Sequence, residues 1–191
     1  MDLTVRPLTP ELWPSLESLF GRAGASNGCW CMYWRIGPAY RRRPREENKA
    51  ALRAITDDGQ PPGLLAFDRE LTVGWCRLTP RSDLPYLDRT WPAERTGEPS
   101  VWSLSCFYVR RDYRGQGVMD ALIAAALARA GRARAVAVEG YPVDTQAPNS
   151  SRNLFTGTAS AFERAGFTVV GRGRHAHVLM RQDLQSTARS R

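Results

Sequence analysis

The sequence predicts a single domain of the α/β class, with strands and helices alternating through its second half. Three observations carry this. A chain of 191 residues, 42% hydrophobic and 24% charged, is long enough to bury roughly 70% of the surface its unfolded form exposes. Apolar runs of strand length recur along it, punctuated by glycine and proline turn signals. Among them, Met119, Leu122, Ile123, Ala126, Leu127 and Ala130 fall on one face of a helix.

Taken in order, residues 3–8 read as a first strand, and Thr9 with Pro10 suits the opening of a helix over 11–20. Pro14 falls near the start of that helix, where it does least damage. Gly21, Gly24 and Gly28 then break the chain before the aromatic run Cys29-Trp30-Cys31-Met32-Tyr33-Trp34, whose crowding implies burial. A second helix covers 45–55 and ends before Asp57-Asp58-Gly59. Residues 63–67 and 71–79 have the spacing of a hairpin. From Pro80 to Pro99 the chain shows no periodicity, and a connection of that length usually serves as a lid or binding loop. The β-branched and aromatic residues of 101–109 form a central strand. The helix built around Leu122 follows, with Gly131 as its stop. Residues 135–138 add a strand, 158–165 a short helix stopped by Gly166, and 167–170 and 176–181 a closing strand pair. The domain spans 1–181, and 182–191 is a polar tail.

Composition narrows the function. The N-terminal stretch lacks a basic segment followed by an apolar core, and no apolar run is long enough to span a bilayer. The expectation is a cytoplasmic protein without a membrane partner. Cys29, Cys31, Cys76 and Cys106 are too few for a disulfide scaffold. The Cys29-x-Cys31 spacing is shorter than zinc sites use, so buried apolar thiols are expected and no metal is assigned. His175 and His177 alternate along an expected strand without acidic company. A net charge of +8, in which Lys49 is the single lysine, favours anionic ligands: a nucleotide cofactor, an acidic substrate or nucleic acid. Arg41, Arg42, Arg43 and Arg45 are its densest cluster, read either as an anion contact or as a solvated helix entrance balanced by Glu46 and Glu47.

The chemistry concentrates at the junction Val109-Arg110-Arg111-Asp112-Tyr113-Arg114-Gly115-Gln116-Gly117-Val118-Met119, where a strand passes into a helix through a glycine-bearing loop. The first amides of a helix have no intrahelical partner, and its dipole makes them a phosphate site. Gly115 and Gly117 let the backbone come close to an anion. This segment resembles the cofactor loop of the general-control-related N-acetyltransferase (GNAT) superfamily: Arg or Gln, two residues, Gly, one residue, Gly or Ala. Met119 stands at the last position, which keeps the backbone amide but adds a larger side chain. Phe162-Glu163-Arg164-Ala165-Gly166-Phe167 is similar to the late helix ending of the same superfamily.

The resemblance implies a mixed, mostly antiparallel sheet with flanking helices, its central strands splayed to admit the pantetheine arm of acetyl-CoA. Backbone groups of Phe107 and Val109 would bond the arm, and Arg114, Gly115, Gln116, Gly117, Val118 and Met119 would hold the pyrophosphate. Many members begin the late motif with a tyrosine that protonates the departing thiolate; Phe162 has no proton to give. Tyr141, Tyr108 or a water would substitute. No glutamate stands on the strand before the cofactor loop, so Glu139, after residues 135–138, is the expected base, with a solvated loop acid as the alternative reading. Trp30, Tyr33 and Trp34, with Tyr86 and Trp91 as a lid, would wall the acceptor site; plain core packing is the alternative for the 29–35 run. The function implied is acetyl transfer to a small-molecule amine. A protein or peptide amine, another acyl donor, or a non-catalytic acyl-CoA or RNA-binding module stay open, as does a homodimer.

Overall fold

Alternation of apolar residues sets the sheet. On β2 (Gly63–Asp68) Leu64 and Ala66 face one side of the sheet while Leu65 and Phe67 face the other, so the strand is buried on both faces and needs a layer over each. The computed structural model, which describes residues 2–91, 100–148, 150 and 153–184, supplies both layers. β1 (Leu3–Pro7) pairs with β2, and β2 forms the expected hairpin with β3 (Leu71–Pro80), turning at Arg69. β4 (Val101–Val109), β5 (Ala137–Gly140), β6 (Thr168–Arg172) and β7 (Val178–Asp183) complete a seven-stranded sheet of order β1-β2-β3-β4-β5-β7-β6. Every neighbouring pair is antiparallel except β4 and β5. The fold is therefore the mixed, mostly antiparallel sheet with flanking helices that the resemblance implies.

One face carries α5 (Val118–Arg132) and α6 (Ala159–Arg164), which bury Leu122, Ile123, Ala126 and Phe162 against the sheet. The other face carries α1 (Trp13–Phe20) and α3 (Arg45–Asp57), packed on Trp75, Leu65 and Phe67. Two short helices, α2 (Tyr33–Ile36) and α4 (Pro85–Thr90), cover the end of that second face.

Several boundaries differ from the sequence expectation, each for a local reason. The first helix starts as a 3-10 turn over Pro10–Leu12 and becomes α-helical only at Trp13. Pro14 has no N–H for the bond that an α-helix begun at Glu11 would require. Gly131 does not stop α5. The helix passes through it and closes with Arg134 in the left-handed region, Ala135 N–H donating to Ala130 C=O and Arg134 N–H to Gly131 C=O, the paired bonds of a Schellman ending. That turn consumes 133–136 and delays β5 to Ala137, so Glu139 lies inside a strand and is buried; a solvated loop acid it is not. The 80–99 connection holds a 3-10 turn and α4 before it passes at residue 92 beyond the described residues. His175 and Ala176 have φ of 53° and 60°, which makes their segment a turn, and β7 begins after it.

Candidate active site

The β4–β5 pairing opens the site. Val101 to Leu104 lie opposite Ala137 to Gly140; beyond Leu104, β4 runs on for five more residues to Val109 without a β5 partner. A register shift between β3 and β4 at Arg77/Leu78 falls at the same level; bulges of this kind turn strands away from one another. A cavity of about 790 Å³ occupies the opening, lined by Phe107, Tyr108 and Val109 of β4, by Arg114, Gly115, Gly117, Val118 and Met119, and by Leu154, Phe155 and Gly157.

Gly115 and Gly117 have φ of 74° and 80°, and a Cβ on either would meet nothing. Their glycine requirement thus comes from backbone conformation and the open approach they leave, not from crowding. Gly117 caps α5 and brings no side chain to its first amides. Those donors, with the positive end of a fifteen-residue helix, face the cavity and suit a phosphate. Arg164 also lines the cavity and is tied to Asp120 at 2.7 Å, which softens the charge of an acid placed in the first turn of α5. Gln116 turns away; its amide donates to Asp112 C=O at 2.6 Å. Cavity volume, open glycines and uncapped amides together fit a nucleotide with an extended arm.

Two backbone polar groups of β4 beyond its β5 pairing are held by other parts of the chain. Phe107 N–H donates to Phe155 C=O at 2.6 Å, so an arm bonded to Phe107 must replace one carbonyl by another. Ser105 C=O accepts from the Trp34 indole at 2.9 Å.

Trp34 links the cavity end to a second cluster. Its ring lies 6.0 Å from that of Tyr141, and the Trp91 ring lies 5.8 Å from Tyr141. Tyr33 meets Trp34 at 4.7 Å and Tyr86 at 5.3 Å. Beneath these rings Glu139 is buried in a charge network: one carboxylate oxygen accepts from Arg81 at 2.5 Å and from the Tyr141 hydroxyl at 3.3 Å, the other from Arg181 at 3.4 Å. Arg81 also donates to Tyr141 at 2.9 Å. Burial raises the Tyr141 phenol above its usual range, so its proton is held firmly.

The structure therefore brings together Tyr33, Trp34, Trp91, Glu139 and Tyr141. It does not bring Trp30 to them: that ring is buried against Trp13 and Phe20. Phe162 is a packing wedge, edge-on to Phe107 and Phe167 and tight against Gly140. Of the two tyrosines weighed as acids, Tyr108 lines the cavity and Tyr141 does not. Arg43 and Arg45 pair with Glu47 and Glu46 on the surface, the arrangement of a solvated helix entrance. Sequence reasoning missed Arg81 and the wall of Asn153, Leu154, Phe155, Gly157 and Thr158, which belong to no local pattern, and, although it noted the late motif, did not assign its Arg164 to the site; each reaches the site only through tertiary packing.

The chain matches the acetyltransferase (GNAT) family over residues 28–155. No curated protein matches it by sequence. Among solved structures it is similar to a PaiA N-acetyltransferase from Thermoplasma acidophilum in complex with coenzyme A (15% identity, TM-score 0.56, 96% of this chain and 100% of that one). It is similar also to YncA, a putative acetyltransferase from Salmonella typhimurium with its cofactor acetyl-CoA (16%, 0.57, 98% and 97%). A third likeness is to a polyamine N-acetyltransferase from Drosophila melanogaster (13%, 0.61, 96% and 100%). At these identities the solved structures speak to fold.

Proposed function

The chain belongs to the GNAT acetyltransferase family, and from that premise we propose that it transfers an acetyl group from acetyl-CoA directly to the primary amine of a small molecule. The observation that carries the reading is the β4 cavity, which joins a strand end without a β5 partner, two left-handed glycines and the uncapped start of α5. The coenzyme A and acetyl-CoA complexes of similar proteins support the donor, and the polyamine enzyme supports a small amine as acceptor.

Acetyl-CoA supplies an activated thioester. The amides of Gly115 to Met119 hold its pyrophosphate, Arg114 and Arg164 add attraction, and backbone groups of Phe107 and Val109 line up the arm once Phe155 yields. The acceptor enters beside Trp34, between Tyr33, Tyr86 and Trp91. An amine must lose a proton to attack and the departing thiolate must gain one. Glu139 is the proposed base and Tyr141 the proposed acid: the Tyr141 phenol is protonated at neutral pH, and its hydroxyl already contacts Glu139. Arg81, bonded to both, holds the pair in register. Positioning supplies most of the rate.

Initial rates over a grid of acetyl-CoA and amine concentrations test this. Direct transfer gives intersecting reciprocal plots; parallel lines, the sign of an acetylated enzyme, would reject it.

A further inference from the structure

Arg77 lies at the centre of the sheet and is fully buried, yet no carboxylate among the described residues pairs with it. One terminal nitrogen donates to Cys31 C=O; Nε and the other terminal nitrogen have no partner among the described residues. The titratable groups around it are the thiols of Cys31, Cys106 and Cys29, together with the like charge of Arg35, whose own acid is Asp83 at 3.5 Å. Glu139 is bound to other arginines, Arg81 and Arg181. Burial pushes Arg77 down to about 10, which still leaves it charged at neutral pH. A buried cation with a free guanidinium edge is costly, and such groups persist where something completes them.

Its surroundings indicate what completes it. Arg77 and Thr79 share a face of β3, and the Thr79 and Ser105 hydroxyls are buried without partners among the described residues. Arg77 lies opposite Cys106, the residue before Phe107, and beneath the 29–35 segment that carries Tyr33 and Trp34. We infer that Arg77, with the hydroxyls of Thr79 and Ser105, recognises a carboxylate carried by the acceptor beside its amine, so that the acceptor is an amino acid or a close carboxylate-bearing amine. The inference rests on the proposed acetyl transfer for its geometry. Neighbouring strands lie about 5 Å apart, so an amine meeting the acetyl group beside β4 brings a carboxylate on the same or the next carbon to the guanidinium. The fork of Arg77 takes such a group through two parallel bonds.

The test uses the full chain, acetyl-CoA, and the common amino acids paired with their carboxamides. The inference expects kcat/KM to favour the carboxylates by about 100-fold or more, because a site built to bond a polar group rejects the analogue that lacks its match. A carboxamide leaves its amine the less basic of the two, which biases the comparison against this result. Arg77→Lys should shrink the preference and Arg77→Met abolish it, with acetyl-CoA affinity and cooperative melting retained. Binding of N-acetyl amino acids against their N-acetyl carboxamides to the coenzyme A complex, followed by ligand-observed NMR, gives a reading that does not need turnover. Preferential binding of the carboxylates with no acetyl transfer to any amine keeps the anion site and rejects the transfer reading. Equal use of both members of each pair overturns the inference. So does a neutral-pH thiolate absorbance that vanishes in Cys31→Ser, which would make Cys31 the counter-ion of Arg77.

Discussion

Replacing Gly117 by aspartate separates cofactor binding from folding, because the two effects on the empty protein nearly cancel. Gly117 has φ of 80° and a Cβ there meets no atom, so the cost is left-handed strain of about 1–2 kcal/mol, less for aspartate than for most residues. Against it, an acid capping α5 satisfies a free amide and complements the helix dipole, together about 1 kcal/mol. Melting should move little. In the complex, the carboxylate would stand beside the pyrophosphate, where like charges about 4 Å apart repel by about 1 kcal/mol in full solvent and about 4 kcal/mol near a protein surface. Calorimetry with acetyl-CoA should show affinity lower by about 30-fold or more, partly restored by salt. Gly117→Asn, equal in shape and neutral, should lose far less. A folded Gly117→Asp variant with unchanged affinity would refute the assignment of the α5 start to the pyrophosphate.

Further expectations concern the rest of the site. Arg77→Met should stabilise the empty protein: burial holds Arg77 at about 10, well below the ordinary guanidinium range, a difference worth about 3 kcal/mol, reduced by about 1 kcal/mol for the lost bond to Cys31. Because a depressed guanidinium regains stability only as pH rises beyond about 10, denaturant melts should show the same gap at pH 6 and pH 9; a destabilised variant would mean that Arg77 already has its counter-ion. Glu139→Gln should lower kcat about 100-fold or more; a near-normal rate would leave Glu139 only a role in holding Arg81 and Tyr141. Trp34→Ala should raise the acceptor KM with acetyl-CoA affinity retained, whereas Trp30→Ala should destabilise the protein by about 3–5 kcal/mol and leave the acceptor KM of the folded fraction unchanged. The reverse pattern in acceptor KM would move the acceptor wall.

What the sequence discloses here follows the reach of its signals. The α5 face, the β2–β3 hairpin and the glycine loop are local patterns, with periodicity and turn chemistry inside a dozen residues, and each is where the spacing puts it. Helix ends are less legible: Arg134 closes α5 in a conformation that glycine usually supplies, while Gly131 sits within the helix. The aromatic run 29–34 reads as one unit, yet left-handed backbone at Trp30 and Cys31 divides it. Trp30 turns into the core against Trp13 and Phe20, and Trp34 turns towards β4. The Arg81–Glu139–Arg181 network and the lone Arg77 join residues far apart in the chain, which no spacing rule relates.

Mass spectrometry of an amine panel incubated with the protein and isotope-labelled acetyl-CoA decides whether the acetyl group passes directly to an amine. The account predicts labelled N-acetylated amine and free coenzyme A in equal amounts, both lost in Gly117→Asp. Tight retention of acetyl-CoA with no labelled amine would contradict it and leave a protein that binds the donor without using it.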